Sequence, residues 1–440
     1  MVNRLIRLLL KKKRPNKVED DSPSGTKWVR SLAANEKLLR EKLAKCGDVK
    51  YHSVKVPLLA NRRVLIAYVE GLINTDILNR DIIAKLMSPL TAEKAASITD
   101  LIAANDIIKV RTLEETEHKV LSGDILLLTD GESTAFLVSA RNWPMRAIDE
   151  SIQERTIRGP RDSFTEVAKV NLGLIRRRLP DASLKVENIT IGRRASSSIY
   201  LLYVADVADD YVVQEVRERI EAVDIDGIME PGALAELITE RTVSPFPLLL
   251  STERPDKAAS GLLSGKIVII SDGSPFCMLA PIVFADYFQV PEDYYMHPAF
   301  AFFGRLLRFI SIFVATTLTA AYTAIITFHY EVIPKDIIIF IAETREGVPF
   351  NPFTEALLLE IAIELVREAS IRLPATIGPT IGIVGALILG QAIVQARLVS
   401  PVMLIVVAAA LMANFNIPNF EAALTLRLIR FPILAMAAFL

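Results

Sequence analysis

Metal-binding and redox-active residues are scarce in this chain. Its two cysteines, Cys46 and Cys277, stand far apart, and neither has a Cys or His at ligand spacing. That excludes a disulfide scaffold and a structural zinc site and leaves two reduced thiols. The four histidines, His52, His118, His297 and His329, are scattered without acidic partners at useful spacing. There is no Gly-x-x-x-x-Gly-Lys-Ser/Thr to cradle a phosphate, no Gly-x-Gly-x-x-Gly, no Gly-x-Ser-x-Gly and no His-Glu-x-x-His. Neither an enzyme nor a cofactor is expected. Without a basic, aromatic-interleaved patch, nucleic acid is not an expected partner either. Net charge is also missing: 50 Lys+Arg face 51 Asp+Glu, so global charge names no partner.

That average hides a break. Residues 301–440 contain nine basic and nine acidic residues, 13% of the segment, whereas residues 1–300 are 28% charged. The first part has the composition of an ordinary soluble protein and the second does not. The start, residues 1–17, has an apolar stretch broken by Arg7 and too short for a signal-peptide core, so the soluble part is expected on the cytoplasmic side. Its Arg/Lys cluster reads as a solvated tail that can also touch anionic lipid. A polar linker follows at 19–26, which gives a tail and linker over 1–27.

Helix-period spacing is present at 28–45, 76–86 (with Thr75 or Asp76 as cap), 90–108, 164–179, 212–222 and 231–240. Strand patterns occur at 63–70, 185–191 and 199–205. Residues 121–139 and 263–281 read as twin hairpins offset by 142 positions, with Leu-Ser-Gly, Ile and Asp-Gly recurring. The expectation is an α/β (α+β) region of two related sub-domains, 28–150 and 151–300.

Residues 309–330 hold 22 positions without Asp, Glu, Lys or Arg, and 377–396 and 398–420 are likewise free of them. At 1.5 Å per residue such runs cross a hydrocarbon core of about 30 Å. An all-α, multi-span transmembrane domain is therefore expected over 301–440. Arg305 and Arg308 precede the first span on the soluble side, as the positive-inside rule requires for a cytosolic domain. A fourth span starts at 421 and meets position 440 inside it, which reads as truncation. The segment 276–290 is apolar but short, a strand followed by an interfacial helix.

Within 353–373, Glu360, Glu364, Arg367 and Glu368 share one face at helical spacing, with Leu and Ile on the other. Such a helix turns its charges either to a bundle interior or, lying in the headgroup layer, to water. Gly378 and Gly382 form Gly-x-x-x-Gly ahead of Gly390 and Gln391, a small-residue helix–helix contact surface. The threonines of the first span can line a polar path or bond their own helix backbone.

Several runs closely resemble the A-subunit family of spore germination receptors (the GerA family, which includes a homologue associated with the SpoVA channel). They are RGPRDSF at 158–164, NLGLIRRRL at 171–179, SPFP at 244–247, TERPD at 252–256, DGSPF at 272–276 and PEDYY at 291–295. REGVP at 345–349, ELVREASIRLP at 364–374 and GIVGAL at 382–387 follow in order. The resemblance implies a cytosolic two-part domain followed by several spans in the inner membrane of bacterial spores. It implies a permease-like B subunit and a lipoprotein C subunit as partners, a homo-oligomer, and a nutrient-gated path for cations. It also implies further spans past position 440.

On that reading Glu360, Glu364, Arg367, Gly378, Gly382 and Gln391 are pore or gating candidates. Arg158, Arg161, Glu253, Arg254 and Asp256 are candidates for pairs that tie sub-domains or protomers together. Two other classes fit the residues: a secondary transporter with helices interrupted at Pro334, Pro349, Pro352 and Pro374, and a membrane-anchored scaffold.

Overall fold

The computed structural model describes residues 25–87, 97–102, 107–141, 154, 156, 158–228, 230–240, 244–374, 385, 388 and 390–439. It divides into two compact units: residues 1–143 with 180–182, and residues 144–179 with 183–440.

The first unit opens with α1 (Leu32–Lys42), β1 (Val49–Val56) and β2 (Arg62–Val69). A π-helical stretch, Ile77–Ile83, then runs into α2 (Ala84–Met87), followed by β3 (Ile107–Val110), α3 (Leu113–Leu121), β4 (Asp124–Thr129) and β5 (Ala135–Ser139). The strands form one antiparallel sheet in the order β1-β2-β4-β5-β3. Every residue of β4 is buried because helices cover both faces. Leu39 of α1 and Val120 of α3 pack on one face. Leu78, Ile82 and Leu86 pack on the other.

Two expectations change here, and β1 is a strand for which there was none. Within the helix expected over 90–108, the described residues form a 3₁₀ turn at Ile98–Asp100, and Ile107 and Ile108 join Val110 in a strand paired with β5, where β-branched side chains fit a pleated surface. Residues 88–96 and 103–106 lie outside the described residues. β1 escapes a period-2 reading because Lys50, His52, Ser53 and Lys55 crowd a strand on the sheet edge. The cap of the 76–86 helix is Asn74, whose Oδ1 accepts from the amides of Asp76 at 2.9 Å and Ile77 at 3.4 Å.

The second unit repeats the plan. Its elements are α4 (Ala168–Arg178), β6 (Leu184–Ile191), β7 (Ser197–Val204), α5 (Asp210–Glu221), α6 (Pro231–Ile238), β8 (Leu250–Thr252), α7 (Pro255–Leu263), β9 (Ile267–Ser271) and β10 (Cys277–Ala280). The sheet order β6-β7-β9-β10-β8 is the first order advanced by five. The twin hairpins are β4–β5 and β9–β10, and each Asp-Gly turn performs the same task. Asp130 Oδ1 accepts from the Leu32 amide at 3.1 Å, and Asp272 Oδ1 accepts from the Ala168 amide at 2.9 Å. Gly131 and Gly273, both at positive φ, donate to the carbonyls of Arg30 and Glu166. Asn35 and Asn171 each exchange two hydrogen bonds with the backbone six residues earlier, at Val29 and Thr165. The relatedness of the two halves is thus carried by hydrogen bonds as well as by spacing.

From β10 the chain passes through short 3₁₀ turns, Phe284–Phe288 and Pro291–Tyr294, into α8 (Pro298–Phe328). Then come α9 (Lys335–Arg345), α10 (Pro352–Arg372), α11 (Pro401–Phe415) and α12 (Phe420–Phe439). Among the described residues, α8 and α12 are long and apolar enough to cross a membrane. The span expected at 398–420 is a 15-residue helix instead, started by Pro401 and stopped by the Asn416–Asn419 turn with Pro418 in it. The run at 377–396 lies mostly outside the described residues. Ile312 of α8 and Ala422, Ala423 and Leu426 of α12 join the apolar core beneath α4 and α7. Thr425 Oγ1 donates to the Pro245 carbonyl at 2.7 Å, so the helical part and the second sheet form one body.

Candidate functional site

Helices in water bury apolar side chains and expose charges, and α8 and α10 do the reverse. On α8, Phe300, Phe302 and Phe303 are more than 60% exposed, whereas Thr319 and Thr323 are fully buried. On α10, Glu355 and Glu360 are buried, whereas Ile361 is 46% and Leu365 67% exposed. That inversion is the arrangement lipid demands of a helix with ionisable groups, and it turns the acidic face to the interior.

There Glu360 (1% exposed) meets α12 and α8. Its Oε2 accepts from Arg430 Nη1 at 2.5 Å, and its Oε1 accepts from Thr319 Oγ1 at 3.1 Å. One turn along α10, Glu364 Oε2 accepts from Arg427 Nη1 at 3.2 Å. Arg367 lies another turn on, its guanidinium 5.6 Å from the Phe415 ring centroid. The i, i+4, i+7 series on α10 thus faces the i, i+3 pair of arginines on α12. Glu368, which spacing alone places with them, turns outward and pairs with Arg372. The other buried threonines, Thr316 and Thr323, donate to backbone carbonyls of their own helix; Thr319 alone of these reaches another helix. Near the far end of α10, Glu355 forms a second buried pair with Arg345 of α9 at 2.8 Å, and its Oε2 accepts from the Ser400 amide.

Gln391 is exposed, away from this cluster. Gly378 and Gly382 lie outside the described residues. Thr319 is one of the first-span threonines expected to line a polar path or bond their own helix, and it bonds Glu360. Sequence reasoning missed Arg427 and Arg430; the signal available was two arginines three apart inside an apolar 20-residue stretch.

The TERPD run forms a separate buried cluster. Arg254 (1% exposed) donates to Asp256 through Nε at 3.0 Å and Nη2 at 2.7 Å. Its remaining donors take the Glu154 carbonyl, Thr156 Oγ1 and the Pro160 carbonyl. Glu253 accepts the Glu154 amide, and its carbonyl takes Phe164 and Ser163. Tyr295 closes the set by donating to Asp256 Oδ2 at 2.9 Å. Burial pushes the Asp256 carboxyl up, but the Arg254 guanidinium outweighs it and holds the group below the ordinary carboxylate range. Burial and the bond to Asp256 raise Tyr295 to about 12. Arg158 and Arg161 are exposed on the loop that Arg254 gathers. Every partner named for Glu253, Arg254 and Asp256 belongs to the second unit. A cavity of about 210 Å³ opens beside this cluster, but its charged lining residues Asp256, Lys257, Lys266 and Asp286 already pair with protein groups.

Two α/β units joined to helices with inward charges and outward phenylalanines define a membrane-associated protein with a large extramembranous part. Residues 37–440 match the family described as Bacillus/Clostridium GerA spore germination protein. The chain belongs to that family. Spore germination protein KA of Bacillus subtilis (strain 168) is 36% identical over 405 residues, 91% of this chain and 74% of that protein. Spore germination protein B1 of the same organism is 37% identical over 381 residues, covering 86% and 79%. Spore germination protein GerLA of Bacillus cereus is 35% identical over 408 residues, covering 92% and 83%. Among solved structures, the N-terminal domain of the A subunit of the Bacillus megaterium spore germinant receptor GerK3 aligns with 59% of this chain and 98% of its own. The TM-score of that alignment is 0.47 and the identity 29%.

Proposed function

We propose that the chain is the A-type subunit of a nutrient-responsive germinant receptor in the spore inner membrane, its α/β units cytosolic. Several copies assemble through the helical region into an ion path, together with a permease-like B subunit that binds the nutrient and a lipoprotein C subunit. The inverted burial of α8 and α10 carries this reading, because membrane helices with charges on their inner faces mark ion and proton routes. Arg305 and Arg308, at the sub-domain end of α8, favour a cytosolic placement of the α/β part. No enzymatic activity is proposed.

Glu360 and Glu364 are neutralised by arginines of the same chain, so their role here is to clamp α10 onto α12 and gate the path. The test is potassium release from liposomes holding the full chain with its B and C partners. Nutrient-dependent release that the Glu360→Gln/Glu364→Gln double variant alters supports a gated channel. Absence of flux under every partner and nutrient condition, despite verified oligomers, replaces it with an anchoring role.

A further inference from the structure

The clamp between α10 and α12 is not electrically balanced. Arg367, Arg427 and Arg430 face two carboxylates, Glu360 and Glu364, and guanidinium groups do not deprotonate in proteins. Arg367 lies within electrostatic reach of Arg427, Arg430 and Glu364. One positive charge is therefore left over. The hydrogen bonds are short of acceptors as well. Arg367 Nη1, Arg427 Nη2, Arg430 Nε and Arg430 Nη2 are buried and find no hydrogen-bond partner among the described residues. Native interiors rarely leave such donors empty.

Water could answer the donors but not the charge, which stays expensive in a low-dielectric setting. A single anion answers both. We propose that Arg367, Arg427 and Arg430 form a buried site for one small anion, a halide or a singly charged phosphate oxygen. Arg427 and Arg430 are 6% and 2% exposed and are fixed by their bonds to Glu364 and Glu360, so they present their free edges in set positions. Arg367 is only partly buried and makes no ion pair among the described residues, so it is the mouth of the site. It stands near the end of α10 that runs toward the turn joining α11 to α12, and an anion can enter there from the headgroup layer. This assignment holds whether or not the assembly conducts ions.

The full chain, purified in non-ionic detergent, stripped of lipid and exchanged into gluconate, is titrated with chloride while the chlorine NMR line width is followed. The expected result is excess broadening that saturates for the natural chain. Losing a charge-assisted bond weakens binding roughly tenfold or more, so Arg367→Gln should lose it and Arg367→Lys should keep part. Arg367 has no carboxylate partner among the described residues, so Arg367→Gln in gluconate should unfold no earlier than the natural chain, which separates lost binding from lost fold. If chloride gives no broadening, both proteins are placed in nanodiscs containing phosphatidylglycerol and the retained lipid is counted by native mass spectrometry. Retention that Arg367→Gln abolishes assigns the acceptor to a lipid phosphate and upholds the site. If neither chloride nor phosphatidylglycerol distinguishes the two proteins, there is no anion site.

Discussion

Arg308, in the third turn of α8, donates to Asp293 Oδ1 at 2.6 Å and so fastens the first long apolar helix to the 3₁₀ turn that precedes it. Arg305 also donates to the same carboxylate, at 3.0 Å, and Asp293 is almost fully buried between them. The connection between the second sheet and the long apolar helices is therefore pinned, not slack. Asp293→Ala leaves Arg308 buried without its anion and should cost about 2–4 kcal/mol of stability. Thermal unfolding of the full chain, with limited proteolysis across 281–297, reads the effect. An unchanged midpoint and cleavage pattern would make the contact ornamental.

The Glu360–Arg430 pair should behave as a coupled unit. Removing either partner strands the other charge, and both Glu360→Leu and Arg430→Met should be destabilising by about 3–5 kcal/mol. The double variant should recover most of that loss, because two apolar side chains of similar size suit the same space. A double-mutant cycle measured by unfolding in detergent provides the check. Purely additive single effects would dissolve the pair.

How much of this was legible beforehand differs by element. The twin hairpins could be read because Leu-Ser-Gly and Asp-Gly are local features with local consequences: Gly123, Gly265, Gly131 and Gly273 all take positive φ. The bonds from Asp130 and Asp272 to the starts of α1 and α4 could not, because they reach 98 and 104 residues back along the chain. β1 could not, because an edge strand tolerates the Lys and His residues that disguise it. Glu360 and Glu364 stood out as charges in an apolar helix. Their partners did not, since nothing in the spacing of α10 says that residues 63 and 70 positions later will face it. Glu368 was misplaced for a plainer reason. It lies one residue after Arg367, and a step of 100° carries it off the buried face.

Acid and alkali should each weaken the Arg254 cluster, through different groups. Asp256 titrates lower in the folded chain than the unfolded value of about 3.9. Its contribution is therefore complete above that value and fades as pH falls through the folded one. Tyr295 is raised to about 12 against about 10 unfolded, so its contribution is complete below about 10 and is lost as pH rises through 12. Asp256→Asn should flatten the acid limb of a stability–pH profile, and Tyr295→Phe the alkaline limb. Chemical denaturation of the full chain across pH supplies the profile. An acid limb that survives in Asp256→Asn would assign it to other carboxylates.

The exposed face of α10 supplies the sharpest test of what surrounds the helices. Ile361 and Leu365 point outward while Glu360 and Glu364 point inward, so the face away from the cluster should meet lipid or a neighbouring copy and not water. A fluorophore on a Leu365→Cys variant should be quenched by lipids carrying a doxyl group and resist aqueous iodide. Ala356, fully buried on the same helix, should not label when replaced by Cys. Leu365→Asp should cost about 2.5–3.5 kcal/mol of insertion if it sits near the bilayer centre, and less toward the headgroups. A disulfide between Leu365→Cys copies would place the face at an oligomer contact. Quenching by iodide would leave α10 lying in the headgroup layer, with its carboxylates turned to a protein interior and its leucines to water. That outcome contradicts the energetics of both solvents and would overturn the inward-charge reading of the site.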